Sequence, residues 1–113
     1  MNVEIAFTPE FKRNLRSLAK KYPRIRTDLQ PILDQLQAGD FMGEQIPGTG
    51  YTLYKVRVKN SDSAKGKRSG YRVIYYLKTP REIILVTMYS KTEQQDVSAS
   101  QIQRILSEFT KTL

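Results

Sequence analysis

Residues 70–91 read GYRVIYYLKTPREIILVTMYSK, and this stretch decides the fold. Two runs rich in Val, Ile, Leu and Tyr flank Thr79-Pro80-Arg81, a pattern that predicts two strands joined by a tight turn. A third run of the same kind comes before them, at 52–59. We therefore expect three antiparallel strands, at roughly 52–59, 70–78 and 82–91, to form the centre of a sheet.

The N-terminal third predicts one strand and two helices. Apolar residues alternate from position 3 to position 7, which indicates a short strand. Thr8 followed by Pro9 is typical of a helix start, and Pro23 would end that helix. A second helical pattern runs from residue 25 to 39, with a kink or a restart expected near Asp28 because Pro31 lacks a backbone donor.

The remaining segments predict a loop and a terminal helix. Residues 39–50 are rich in glycine and polar side chains and indicate a loop. Ser98 and Gln101 have the spacing of a capping box, and apolar residues follow at helical intervals. The predicted order is β-α-α-β-β-β-α in one domain, 1–113. This is an α+β fold in which a small antiparallel sheet is packed by helices on one face.

Composition excludes several kinds of chemistry. The 113 residues include no Cys, His or Trp, and the formal net charge is +8. The chain therefore lacks residues that zinc fingers, Cys nucleophiles and Ser-His-Asp triads require. No signal peptide or membrane span is visible, so a cytoplasmic protein without a membrane partner is expected.

The positive charge is concentrated in the middle of the chain. Residues 51–91 hold 10 basic and 2 acidic side chains, which is typical of a surface that binds a polyanion. The alternative is a basic surface that serves solubility. The cations of the first helix, at 12, 13, 16 and 20, are interpreted as a solvated helix face.

Strand alternation predicts where the central cations point. Lys55 and Arg57 share one face of their strand, and antiparallel pairing would bring Arg72 and Lys91 to the same side. Arg and Lys bind phosphate and nearby Tyr rings can stack on bases, so this face suits single-stranded RNA. The alternative is that all four are solvated residues of a half-exposed sheet.

Such a face is also equipped for RNA cleavage. RNA supplies its own nucleophile, the 2′-hydroxyl, so the protein must only orient it, accept its proton, stabilise charge on phosphorus and protonate the leaving 5′-oxygen. A crowded Lys can act as a base, and an Arg remains charged. This chemistry requires no metal, but residue spacing alone does not separate cleavage from binding.

Three segments together resemble the RelE/ParE superfamily of bacterial toxins from type II toxin-antitoxin pairs, and most of all its HigB-like branch. They are LYKVRV at 53–58, GKRSGYRVIYY at 66–76 and ILVTMYSK at 84–91. The resemblance implies an endoribonuclease that enters the ribosomal A site, contacts small-subunit ribosomal RNA and cuts messenger RNA. It also implies neutralisation by a cognate antitoxin protein and no cofactor.

The resemblance also implies roles for individual residues. Arg72 would stabilise the transition state. Lys55, beside Arg57, would act as the base or support it, and Lys91 would protonate the leaving group or clamp a phosphate, although the roles of Lys55 and Lys91 could be exchanged. Some relatives carry a Tyr near the start of the terminal helix, where this chain has Ser98, so Tyr89 or Glu93 would substitute or no such base exists. Further RNA or ribosome contacts are expected from Lys59, Lys65, Lys67, Arg68 and Tyr76.

Two other functions remain open at this point. A ParE-like inhibitor of DNA gyrase would share the fold without the catalytic cations. A non-catalytic RNA-binding module, such as a double-stranded-RNA-binding domain, also ends in three strands and a helix. Such a module expects a basic cluster at the start of its last helix, but residues 98–106 contain only Arg104.

Overall fold

The computed structural model describes residues 3–63, 70–93 and 96–111. Its elements in chain order are β1 Glu4–Phe7, α1 Pro9–Lys21, α2 Ile25–Gln37, β2 Glu44–Ile46, β3 Leu53–Val58, β4 Tyr71–Thr79, β5 Glu82–Ser90 and α3 Ala99–Lys111. The α+β class and the three central strands are confirmed. None of the helices within these ranges is long and apolar enough to cross a membrane.

The sheet is larger than the sequence predicts and is mixed. Its strand order is β1-β5-β4-β3-β2. The three central strands pair antiparallel as expected, whereas β1 pairs parallel with β5. The short strand β2 lies within the stretch 39–50 that the sequence assigns to a loop, and it adds to the open edge of β3.

The helices lie on both faces of the sheet, so the prediction of one covered face is wrong. Helices α1 and α2 bury Phe11, Ile25 and Leu36 against one face. Helix α3 buries Ile102 and Leu106 against the other face. Strands β4 and β5 carry apolar side chains on both faces of the sheet, so each face can pack against helices.

Helix boundaries follow local chemistry. Thr8 caps α1 as predicted, because its Oγ1 accepts the backbone N–H of Phe11 at 3.0 Å. The sequence predicts a kink or a restart near Asp28; a restart does not occur, since α2 is unbroken from Ile25 to Gln37 with Pro31 inside it. The loss of one hydrogen bond at Pro31 is offset by the buried apolar stripe of this helix.

Candidate active site

The four predicted cations meet in one cavity. A cavity of about 290 Å³ is lined by Gly43, Glu44, Lys55, Arg57, Arg72 and Lys91. It lies on the face of the sheet that α3 packs against, beyond the part that this helix covers. The predicted convergence of these side chains is therefore confirmed as geometry, whereas their catalytic roles stay predictions.

Strand register explains this convergence. Arg57 lies opposite Arg72 across the β3–β4 pair, and Arg72 lies opposite Tyr89 across the β4–β5 pair. The backbone N–H of Lys91 donates to the carbonyl of Gly70 at 2.9 Å, so pairing continues past the last residue of β5. Three of the cavity's cations thus come from neighbouring positions on adjacent strands, a rigid support for a binding site.

Arg72 is the most deeply buried of the cavity cations. Only 6% of its surface is exposed, and its guanidinium donates to the carbonyl of Tyr71 at 3.2 Å. A guanidinium stays charged in proteins and presents a fixed planar array of donors. Arg72 therefore contributes a buried guanidinium to the lining of the cavity.

A single carboxylate oxygen joins two of the predicted site residues. Oδ1 of Asp96 accepts the hydroxyl of Tyr89 at 3.2 Å and lies 3.7 Å from Nζ of Lys55. The backbone N–H of Val97 also donates to this oxygen, at 2.8 Å, and is the main reason why the pKa of Asp96 is lowered. Sequence analysis missed Asp96, because it stands in a polar stretch without periodicity.

Tyr89 is a neutral phenol at physiological pH. Burial first, and then the charge of Asp96 and the hydrogen bond to it, raise the pKa of Tyr89 to about 12. The side chain is 5% exposed. A group with this pKa is a poor base near neutral pH, although it can still donate a hydrogen bond.

Glu44 is a cavity residue that sequence analysis also missed. It lies opposite Lys55 in the β2–β3 pair and contributes the one carboxylate in the cavity lining of the described chain. Strand β2 has only three residues, too few for an alternation pattern to reveal it. The local signal for this segment is Gly43, which lies immediately before β2.

Two glycines allow neighbouring backbone segments to lie close to β3, the strand that carries Lys55 and Arg57. Gly43 has a φ of +108°, and a Cβ atom there would lie 2.6 Å from the carbonyl oxygen of Lys55. A Cβ atom at Gly70 would collide with the carbonyl oxygen of Val58. Both positions therefore need glycine for the neighbouring backbones to approach β3.

Other predicted residues lie elsewhere or outside the described chain. Tyr76 packs edge-on against Tyr51, with ring centroids 5.1 Å apart, in the apolar cluster beneath α3. Lys59 is exposed just after β3. RNA or ribosome contacts are also predicted for Lys65, Lys67 and Arg68, which lie outside the described residues.

Glu93, one of the two substitutes offered by the sequence, and Ser98, at the start of the terminal helix, both have other partners. Glu93 forms an ion pair with Lys21 of α1 at 2.9 Å, and it lines a different, smaller cleft that includes Asn14 and Ser17. Ser98 is the N-cap of α3 as predicted, since its Oγ accepts the N–H of Gln101 at 3.2 Å. Within residues 3–63, 70–93 and 96–111, no group of three or more Asp or Glu side chains is placed to hold a metal ion.

This sheet, with its two helical layers, defines a RelE-like fold. The structure of a free E. coli RelE toxin, in a mutant form with two arginines replaced by alanine, matches this chain with a TM-score of 0.56. The two sequences are 16% identical, and the match covers 100% of this chain and 99% of that chain. No family model matches the sequence. The likeness establishes the fold, and it does not distinguish the HigB-like branch.

Proposed function

We propose that this protein is the toxin of a type II toxin-antitoxin pair, and that it cleaves messenger RNA on the ribosome. The observation that carries the proposal is the joint lining of one cavity by Lys55, Arg57, Arg72 and Lys91. A binding surface for RNA needs cations spread along the strand, whereas cleavage needs them gathered around one phosphate. The RelE-like fold adds support to this proposal.

The residues that line the cavity can supply the proton transfers and the charge stabilisation that RNA cleavage requires. The 2′-hydroxyl of the substrate attacks the adjacent phosphorus, and its proton passes to the carboxylate of Glu44. Arg72 stabilises the extra negative charge on phosphorus, with Lys55 and Arg57 on the phosphate oxygens. The bond from phosphorus to the 5′-oxygen breaks, and Lys91 protonates that oxygen. The products are a 2′,3′-cyclic phosphate and a 5′-hydroxyl.

Glu44 suits the role of base better than the earlier candidates. Lys55 has Asp96 as an ionic partner, and Tyr89 keeps its proton up to a pKa of about 12. Glu44 lies at the cavity wall directly across from Lys55. Among the lining residues in the described part of the chain, Glu44 is the one with a carboxylate, and a carboxylate can accept the proton that leaves the 2′-hydroxyl.

Purified protein should be offered the same message either naked or on translating ribosomes, with the ends of the fragments mapped. We expect cuts on the ribosome that leave a cyclic phosphate and a 5′-hydroxyl. Arg72→Ala should lower the rate by about 10²–10³, the typical cost of removing one group that stabilises transition-state charge. Induced expression should arrest growth, and Arg72→Ala should restore it.

Arg81→Ala is the matched control, because Arg81 is exposed in the turn between β4 and β5, away from the cavity. It should cleave like the parent. If neither form of the message is cut and DNA supercoiling by gyrase is inhibited, the protein is a gyrase inhibitor instead. Ribosome binding without any cleavage would identify a non-catalytic RNA-binding module.

A further inference from the structure

Asp96 bridges two strands of the sheet that are not neighbours. Its Oδ1 atom lies 3.7 Å from Nζ of Lys55 on β3 and accepts the hydroxyl of Tyr89 on β5 at 3.2 Å. Strand β4 lies between these two strands, and its Arg72 is the register partner of Tyr89. Asp96 therefore lies next to the cavity that Lys55 and Arg72 line, although it is not itself a lining residue.

The carboxylate of Asp96 is held by groups that are themselves fixed. The backbone N–H of Val97 donates to the same oxygen at 2.8 Å, and Val97 is buried in the apolar cluster beneath α3. The second donor, the hydroxyl of Tyr89, belongs to a buried side chain. Lys55, by contrast, is only partly buried and carries its charge on a long flexible stem. The contact therefore orients Lys55 and not Asp96.

We propose that Asp96 is a positioning residue, which holds the ammonium group of Lys55 at the place in the cavity where the phosphate to be attacked binds. This inference deepens the proposed function and rests on it. An ammonium group has several N–H donors, so an ion pair with Asp96 leaves donors for phosphate oxygens. A lysine that is oriented before the substrate arrives loses less entropy during the reaction.

The alternative is a purely structural role, in which Asp96 serves only to fix the segment before α3. Its hydrogen bonds with Val97 and Tyr89 would serve that role, but neither of them requires a charge, since an amide oxygen accepts such bonds as well. The contact with Lys55 is the one that gains from a negative charge. A variant that keeps the acceptor and removes the charge therefore separates the two roles.

The test measures single-turnover cleavage of a message on ribosomes over a range of protein concentrations. Asp96→Asn keeps an oxygen that can accept both hydrogen bonds and removes the charge. We expect the saturating rate to fall by about 10–10²-fold, the cost of a misplaced group in an active site. The protein concentration that gives half of this rate should change by less than about twofold. Asp96→Glu, which keeps the charge, should recover most of the rate.

A second substitution shows whether Asp96 acts through Lys55. Lys55→Met removes the ammonium group and keeps the length of the side chain. In this background Asp96→Asn should cause no further loss of rate, because the group that it positions is already gone. Equal losses from Asp96→Asn in the two backgrounds would overturn the proposal.

Asp34→Asn is the matched control. It removes an exposed carboxylate from α2, which packs on the other face of the sheet. This variant should cleave like the parent. A loss as large as that of Asp96→Asn would show that net charge, and not the position of Lys55, sets the rate.

A further measurement does not depend on cleavage. Mass spectrometry follows the rate at which an amine-reactive ester modifies Lys55, relative to the exposed Lys59 of the same protein. Asp96→Asn should raise this ratio by about two- to fivefold, the range expected for the loss of a partly exposed ion pair, and Asp34→Asn should leave it unchanged. An unchanged ratio in Asp96→Asn would overturn the proposal, and unfolding of this variant would assign Asp96 a structural role instead.

The outcomes separate this inference from the proposed function. If the unmutated protein cuts no message while the ratio still rises, the nuclease is refuted and Asp96 still orients Lys55 in the cavity. Cleavage on ribosomes with equal losses in the two backgrounds would refute the positioning role alone.

Discussion

The cavity is lined by charged side chains of both signs. Its cations come from β3, β4 and the end of β5, and its acid comes from β2. The proposed mechanism uses both signs, since Glu44 would accept a proton and Lys91 would supply one. In the proposed mechanism the four cations bind the phosphate, and Glu44 is the acceptor for the substrate's proton.

Replacement of Glu44 by Gln keeps the shape of the side chain and removes its capacity to take up a proton. We expect the cleavage rate on ribosomes to fall by about 10²–10⁴, the usual contribution of a general base. Ribosome affinity should stay within a few-fold of the parent. The measurement is single-turnover cleavage alongside binding to the same ribosomes.

Gln45→Ala serves as the control, since Gln45 is the next residue of β2 and is absent from the cavity lining. It should cleave at the parent's rate. Full activity of Glu44→Gln would remove Glu44 from the mechanism and return the role of base to Lys55.

The sequence predicts the cations of the site well and its acids poorly. Lys55, Arg57 and Arg72 stand in strands of six to nine residues, long enough for alternation to fix the side on which each side chain lies. Glu44 and Asp96 stand in short or irregular segments. Their positions depend on which strand the segment meets in the folded chain, and no local pattern carries that information.

Among the elements, α2 depends on a distant residue for its start. Arg24 at its N-cap provides no side-chain hydrogen bond. Asp62, in the turn after β3, instead accepts the backbone N–H of Arg24 at 2.8 Å, and Asp28 accepts the N–H of Ser61 in return. These reciprocal contacts tie α2 to the turn that leaves β3.

Replacement of Asp62 by Ala should lower the free energy of unfolding by about 1 kcal/mol, because an orphan amide at a helix start loses its acceptor and the helix dipole loses a favourable charge. Urea unfolding monitored by circular dichroism measures this change. Asp34→Ala is the control: Asp34 lies nearer the C-terminal end of the same helix, where negative charge is disfavoured. A loss at Asp34 as large as that at Asp62 would contradict the capping role.

The face of the sheet that α3 covers could not be predicted from the pattern of the helix alone. The apolar spacing of α3 correctly predicts its existence and its cap at Ser98. An amphipathic pattern indicates that a helix buries one side, but it does not indicate which face of a sheet the helix packs against. That choice depends on Leu53, Ile74 and Ile84, which make the second face apolar.

At the scale of the whole molecule, the protein buries several tyrosine hydroxyls. Burial is the main cause that raises the pKa values of Tyr71, Tyr75 and Tyr89, the last to about 12. In the unfolded chain a tyrosine has a pKa near 10. The folded form therefore binds more protons than the unfolded form once the pH exceeds about 10.

This difference predicts an alkaline loss of stability. The contribution of Tyr89 is fully present below about pH 10 and should be lost as the pH rises toward 12, because the unfolded state gains by ionising first. Urea unfolding between pH 9 and about pH 12 should show stability falling less steeply for Tyr89→Phe than for the parent. Parallel curves for the two proteins would show that Tyr89 titrates alike in both states.

The glycines at 43 and 70 limit how this protein can change over evolution. A side chain at either position would meet a carbonyl of β3, the strand that carries Lys55 and Arg57. Most surface positions can drift one residue at a time, but these two cannot change without displacing the residues that face the cavity. Sequence drift in descendants of this chain should therefore be slowest at two positions that contribute no functional group at all.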